Sequence, residues 1–125
     1  MPMLAILLAF TMGRPPQSLQ VVGEETFRQL NGNYLAYTVT LKAILPDGSH
    51  ALLSCVSDCE EVQSLPPEKR PPADQACEDS TGTSMGYVHT CKYANVGTFE
   101  FKRSGDRITV FHRSGKTSFQ VTSSW

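Results

Sequence analysis

Hydrophobic and polar residues alternate most regularly between Tyr34 and Leu45. Every odd position from 35 to 45 is apolar, and the even positions include both threonines and the lysine of the stretch. A period of two is typical of a strand with one buried face. Pro46-Asp47-Gly48 has the composition of a turn, and residues 49–57 follow as its antiparallel partner. This part of the chain therefore predicts a β-hairpin.

The last third of the chain has the same character. Short alternating segments are separated by glycine-containing links, and they predict strands at Met85–Tyr93, Thr98–Arg103, Arg107–Arg113 and Thr117–Ser123. Regular spacing of this kind is typical of an antiparallel meander. We therefore expect a mainly β fold in which the meander forms a small barrel or sandwich.

The segment before the first clear strand is ambiguous. Glu24–Leu30 is compatible with a short N-terminal helix that ends at Gly32 as a C-cap. Asn31-Gly32 is equally a strong hairpin signal, which would make the segment a strand. We favour the helix and keep the hairpin as the alternative.

The N-terminus predicts an export signal. Leu4–Phe10 is apolar, and small residues follow at Thr11 and Gly13, as before a signal-peptidase cleavage site. We therefore assign residues 1–13 to a signal peptide, although no basic residue precedes the apolar run. Residues 14–33 would form an N-terminal segment and 34–125 a single β domain. The apolar run is too short for a transmembrane segment, so none is expected.

Residues 58–84 differ in composition from the strands around them. They contain four prolines, and seven acidic residues against two basic ones, which favours a long, exposed loop. Loops on rigid scaffolds often carry recognition. We therefore take Glu68, Lys69 and Arg70 as the candidate recognition residues.

Four cysteines in a short chain with an export signal predict a disulfide framework. We favour a nested pairing of Cys55 with Cys91 and of Cys59 with Cys77, which would tie the base of the long loop. The competing pairing joins Cys55 to Cys59 and Cys77 to Cys91. A zinc site made by all four is less well supported, because only Cys55 and Cys59 are close in sequence.

The chain is nearly neutral overall, but one group of basic residues forms a candidate binding face. The chain is 18% charged with a net charge of −1, which argues against bulk attraction to nucleic acid. Lys102, Arg107 and Arg113 are expected on one outward face with Phe111. Such a basic face normally keeps a sheet soluble, and its alternative role is to bind an anionic ligand.

No catalytic constellation stands out. The three histidines, His50, His89 and His112, fall on separate predicted strands without metal-ligand spacing. Ser80–Ser84 is rich in hydroxyls but has no nucleophile elbow. We therefore expect no catalytic residues, no metal and no cofactor.

The leader, the Asp47-Gly48 turn, the four cysteines and the closing Ser123-Ser124-Trp125 resemble small exported bacterial proteins in general plan. That likeness is one of general plan and implies no activity. The disulfide-tied β scaffold with its long, proline-rich, acidic loop predicts a secreted or periplasmic, non-enzymatic binding or structural module of the cell envelope or exterior. Its expected partner is an envelope or extracellular protein or a glycan. The alternatives are a small hydrolase or metal-dependent enzyme, and a secreted protease inhibitor presenting Lys69-Arg70.

Overall fold

The computed structural model describes residues 17–31, 34–56, 58–63, 65–83 and 86–125. The expected signal peptide therefore lies outside the described residues. Within them the strands are β1 (Gln17–Asn31), β2 (Tyr34–Ile44), β3 (His50–Cys55), β4 (Cys77–Thr83), β5 (Gly86–Ser104), β6 (Arg107–His112) and β7 (Gly115–Ser124). Between β3 and β4 lie a 3-10 turn, Pro67–Lys69, and a one-turn helix α1, Ala73–Ala76.

The seven described strands form one antiparallel sheet in the order β1-β2-β3-β7-β6-β5-β4, and β1 also pairs with β5. That last pairing, with Leu19 opposite Phe99, closes six of the strands into a barrel and leaves β4 as an added edge strand on β5. The expectation of a mainly β, antiparallel meander is confirmed.

The barrel interior is filled by the alternating side chains that the sequence pattern placed there. Val39 and Leu41 of β2, Ile108 and Val110 of β6, and Phe119 of β7 are all buried. Neighbouring strands bring such residues face to face, as in the pairing of Leu41 with Leu53, and cross-strand contacts of this kind stabilise a sheet. The barrel therefore has a packed core.

The prediction of a short N-terminal helix is wrong. Glu24–Leu30 belongs to β1, which is paired with β2 on one side and with β5 on the other. The pairing of Asn31 with Tyr34 agrees with the alternative hairpin, although residues 32–33 lie outside the description. The strand was hard to see because a register shift between Val21 and Gly23 interrupts the alternation.

The long strand β5 also differs from expectation, since Ala94–Gly97 does not separate two strands. A bulge carries the strand through this point instead. Val21 of β1 pairs with Gly97 and Gly23 pairs with Ala94, so one residue on β1 faces two on β5. Asn95 and Gly97 have φ values of 52° and 144°, and these unusual backbone conformations allow the bulge.

The predicted loop at 58–84 is too long by seven residues, because Cys77–Thr83 forms β4. The favoured disulfide pairing is also wrong. The bonds join Cys55 to Cys59 and Cys77 to Cys91, because Cys77 and Cys91 lie directly opposite each other on β4 and β5. The second bond thus ties an edge strand to its neighbour, and the first closes a small ring after β3.

None of the helices in the described part of the chain is long and apolar enough to cross a membrane.

Candidate functional site

A short stretch after β3 covers one end of the barrel, and we call residues 58–63 the plug segment. Val62 is fully buried and Gln63 is nearly so. The backbone N–H of Val62 donates to Glu24 Oε2 at 2.7 Å, and Thr117 Oγ1 donates to the Glu60 carbonyl at 3.2 Å. Together with the Cys55–Cys59 bond, these contacts fix the plug segment to the barrel on several sides.

Glu24 is the unusual group beneath the plug segment. Its side chain faces inward from β1, and the residue is 2% exposed. Burial, reinforced by the nearby Glu61 carboxylate, raises the pKa of Glu24 to about 7, although the Val62 N–H and Arg70 act in the opposite direction. Its second oxygen, Oε1, is buried and has no hydrogen-bond partner among the described residues. A proton on Oε1 would therefore remove an unpaired buried charge.

Outside the plug segment lies an open cavity of about 540 Å³, which we call the mouth cleft. It is bounded by the ends of β1 and β2, by the plug segment and by the turn after β6. Its polar lining includes Arg28, Tyr37, Glu61, Gln63, Arg70 and Arg113.

Hydrogen bonds and stacking hold several of these groups in place. Arg70 donates to Glu61 Oε2 at 3.1 Å, and Tyr37 Oη donates to the other carboxylate oxygen at 3.4 Å. The Arg28 guanidinium lies 4.7 Å from the centroid of the Tyr37 ring. Burial, with the charge of Glu61, raises the pKa of Tyr37 to about 12, so its phenol stays a neutral hydrogen-bond donor.

The candidate recognition residues behave differently from one another. Glu68 and Lys69 lie exposed in the 3-10 turn. Arg70 turns back toward the barrel, where it pairs with Glu61 and also donates from Nε to the Leu65 carbonyl at 3.2 Å. Its guanidinium is thus committed within the chain, and this geometry gives no support to a protease inhibitor presenting Lys69-Arg70.

The expected basic face is divided by the structure. Arg113 lines the mouth cleft, whereas Arg107 lines a separate open cavity of about 530 Å³ with Lys116. The Lys102 ammonium lies 5.9 Å from the centroid of the Phe111 ring. The three residues therefore do not form one compact site.

The histidines have three different sets of contacts among the described residues. His50 stacks on Trp125 with ring centroids 5.6 Å apart, and His89 hydrogen-bonds to Asp79. His112 Nε2 lies 2.8 Å from Thr117 Oγ1, but the His112 side chain is only 1% exposed, and Thr117 is 2% exposed. Because Thr117 Oγ1 donates to the Glu60 carbonyl and His112 Nδ1 accepts from the Ser114 N–H, Nε2 is the donor to Thr117. This buried pair is therefore a structural contact and does not have the geometry of a nucleophile and its base.

The hydroxyl-rich segment gains no catalytic partner in the part of the chain that is described. Ser80 is exposed on β4 and pairs with Val88 on β5. The side chains of residues 82 and 83 and the whole of Ser84 lie outside the described residues. The structure therefore offers nothing there that favours a hydrolase.

The residues of the mouth cleft were largely missed by sequence reasoning. Arg28 and Tyr37 lie on adjacent strands and face each other in register, but that pairing was hidden by the helix expected at Glu24–Leu30. No family model, curated protein or solved structure matches the chain. The functional interpretation consequently rests on the geometry of these side chains.

Proposed function

We propose that this protein is an exported, non-enzymatic binding module that holds an anionic group of its ligand in the mouth cleft. The partner would be an envelope or extracellular protein or a glycan that carries a carboxylate or phosphate. Two disulfides among the described residues support export, because such bonds persist in oxidising compartments.

The charge balance of the mouth cleft carries this proposal. Three arginines and two glutamates line it, in a protein whose net charge is −1. Arg70 is neutralised by Glu61, and Glu60 offsets one further charge, so the lining has one net positive charge. Arg28 and Arg113 are the cations that a ligand would meet. An arginine fork matches the geometry of carboxylate and phosphate oxygens.

The surroundings of Arg28 favour binding over a merely solvated charge. Stacking on Tyr37 restricts the guanidinium, and a restricted group loses less entropy when it binds. Because the barrel interior is packed and its end is covered by the plug segment, a ligand would bind outside the plug segment, in the mouth cleft. An aromatic or apolar portion next to the anion would extend along the Tyr37 ring.

The proposal can be tested with defined probes. Phenyl phosphate and benzoate combine an anion with a ring, and benzyl alcohol is the neutral control. Binding is measured by calorimetric titration and by thermal unfolding. At about ten times Kd, the stabilisation is about 1.4 kcal/mol, and Tm should rise by roughly 5 °C.

Matched double variants locate the effect. R28Q/R113Q removes both free cations of the mouth cleft, whereas K102Q/R107Q removes the same charge from the outer face of the barrel. Binding should be lost in the first and kept in the second. The proposal fails if neither anionic probe binds the wild-type protein, if benzyl alcohol binds equally well, or if both variants lose binding to the same extent.

A further inference from the structure

Four chemically distinctive side chains meet where β4 joins β5. Cys77 lies opposite Cys91, and Asp79 lies opposite His89. Residues two apart on a strand share a face, so all four side chains are on the same side of the sheet. We call this group the Cys–His corner.

The atoms of the corner are close enough to share a ligand. His89 Nε2 lies 3.2 Å from Cys91 Sγ. The two sulfurs and this nitrogen all lie within 4.8 Å of one another, and they form a group of metal-ligand type among the described residues. Sulfur and imidazole nitrogen are the ligands that zinc prefers in proteins.

The second ring nitrogen of His89 also has a hydrogen-bond partner. His89 Nδ1 hydrogen-bonds to the Asp79 carboxylate, and Tyr87 Oη donates to the same carboxylate at 3.0 Å. A carboxylate on the second ring nitrogen fixes the tautomer that leaves Nε2 free to bind a metal.

We propose that reduction of the Cys77–Cys91 disulfide converts the Cys–His corner into a Zn²⁺ site. The ligands would be Cys77 Sγ, Cys91 Sγ and His89 Nε2, with a water molecule as the fourth. Asp79 is then a positioning residue that orients the imidazole. This inference is independent of the mouth cleft and of its ligand.

The reductive step needs a dithiol, which supplies two electrons. Its thiolate attacks Cys77 Sγ, since Cys77 is half-buried while Cys91 is buried, and Cys91 leaves as a thiolate beside His89. The second thiol of the reductant then displaces Cys77 from the mixed disulfide. The reductant ends as a cyclic disulfide and the protein as two thiols, which release two protons when Zn²⁺ binds.

The required movement is small. A tetrahedral zinc ion about 2.3 Å from each sulfur separates the two sulfurs by about 3.8 Å. The Cα atoms of Cys77 and Cys91 lie 4.0 Å apart, so the two sulfurs can reach this separation by rotation of the side chains. The half-buried Cys77 and His89 leave one side of the corner open to the entering ion and to water. Zinc would then keep the edge strand β4 attached after its disulfide is lost.

The test reduces the full chain with a phosphine, which does not compete for zinc as a thiol does, and removes the phosphine before Co²⁺ is added as a spectroscopic probe. Reduced protein should bind one Co²⁺ with thiolate charge-transfer absorption, and one Zn²⁺ should displace it. Oxidised protein should show neither signal. Alkylation followed by peptide mass analysis should find that Zn²⁺ shields Cys77 and Cys91 but not Cys55 or Cys59.

Single substitutions assign the roles. H89Q should weaken Zn²⁺ affinity at least 100-fold, while H50Q, a histidine on β3, should leave it unchanged. D79N should weaken affinity about 10- to 100-fold, as expected of an orienting partner. The proposal is overturned if reduced protein binds no Co²⁺, if shielding falls on Cys55 and Cys59, or if H89Q and H50Q behave alike. The shielding pattern needs no variant, so it decides the matter even if a variant misfolds.

Discussion

Replacing Glu24 by glutamine should abolish a pH dependence of stability that the wild-type protein carries. Burial raises the pKa of Glu24 from 4.5 to about 7 in the folded state, so folded protein holds this proton more tightly than unfolded protein does. The stabilisation is fully present below pH 4.5 and is lost as the pH rises through 7. Across that window the wild-type protein should therefore become less stable.

The size of the effect follows from the two pKa values. The gap between 4.5 and about 7 is worth roughly 3 kcal/mol, at about 1.36 kcal/mol per pKa unit. The Val62 N–H donates to Oε2, whereas Oε1 has no partner among the described residues. Protonation at Oε1 thus leaves the Val62 hydrogen bond in place, and the plug segment stays attached in both states.

E24Q is a close mimic of the protonated carboxyl. Its amide oxygen can accept from Val62, and its NH₂ group takes the place of the protonated Oε1. The protonated carboxyl buries one O–H donor without a partner and the amide buries two N–H donors, so E24Q should be slightly less stable than wild type near pH 4.5. At pH 8 the variant should be the more stable by up to about 3 kcal/mol, because it buries no charge.

The assay is urea unfolding at several pH values from 4.5 to 8, with the disulfides intact, followed by circular dichroism. Other groups also titrate. Burial lowers the pKa of His112, and that contribution makes stability rise with pH, opposite to Glu24. The quantity to compare is therefore wild type minus variant. The matched control is E25Q, which changes the exposed neighbour of Glu24. Its free energy of unfolding should depend on pH in the same way as that of the wild-type protein. If the stability of E24Q also follows that of the wild-type protein at every pH, the reasoning is refuted.

Three further predictions concern what holds the barrel together, and each is measured by urea unfolding at constant pH. C77A/C91A should lose about 3 kcal/mol, because the bond spans 14 residues; an unchanged midpoint would mean that β4 is not part of the cooperative unit. T117V should lose about 2 kcal/mol, since it leaves both hydrogen-bond partners of the hydroxyl unpaired, and the isosteric side chain keeps packing constant. F119A should lose about 3–5 kcal/mol by opening a cavity in a fully packed interior; a loss below 1 kcal/mol would contradict that packing.

Much of the barrel was predictable because its strands obey a period of two. Val39 and Leu41 face inward as the alternation requires. The turns between strands carry glycines with positive φ, including Gly48 at 86° and Gly105 at 60°, and few other residues adopt such values. Local patterns of this kind depend only on neighbouring residues, so the sequence reveals them.

The first strand and the disulfides were not predictable in the same way. Glu24 is polar at an inward position, so alternation marks it as solvent-facing. Its environment is created by Val62, which lies 38 residues later in the chain. The Cys77–Cys91 bond likewise depends on the register of β4 against β5, and β4 itself was hidden in a segment whose prolines suggested only a loop.

Both proposed sites lie on one continuation of the barrel's inward-facing row. Strands β1, β2 and β5 extend beyond the closed ring, past Thr26, which pairs with Val39 and Cys91. The next inward residue of β1 is Arg28, which lies between Tyr37 on one side and His89 on the other. Beyond the closed ring there is no core to fill, so polar side chains at these positions are available to bind ligands. Arg28 lies beside both sites but is not one of the zinc ligands, so R28Q should weaken anion binding while the Zn²⁺ affinity of the reduced protein stays within about threefold. H89Q should do the reverse, and a loss of both functions in either variant would show that the two sites are one.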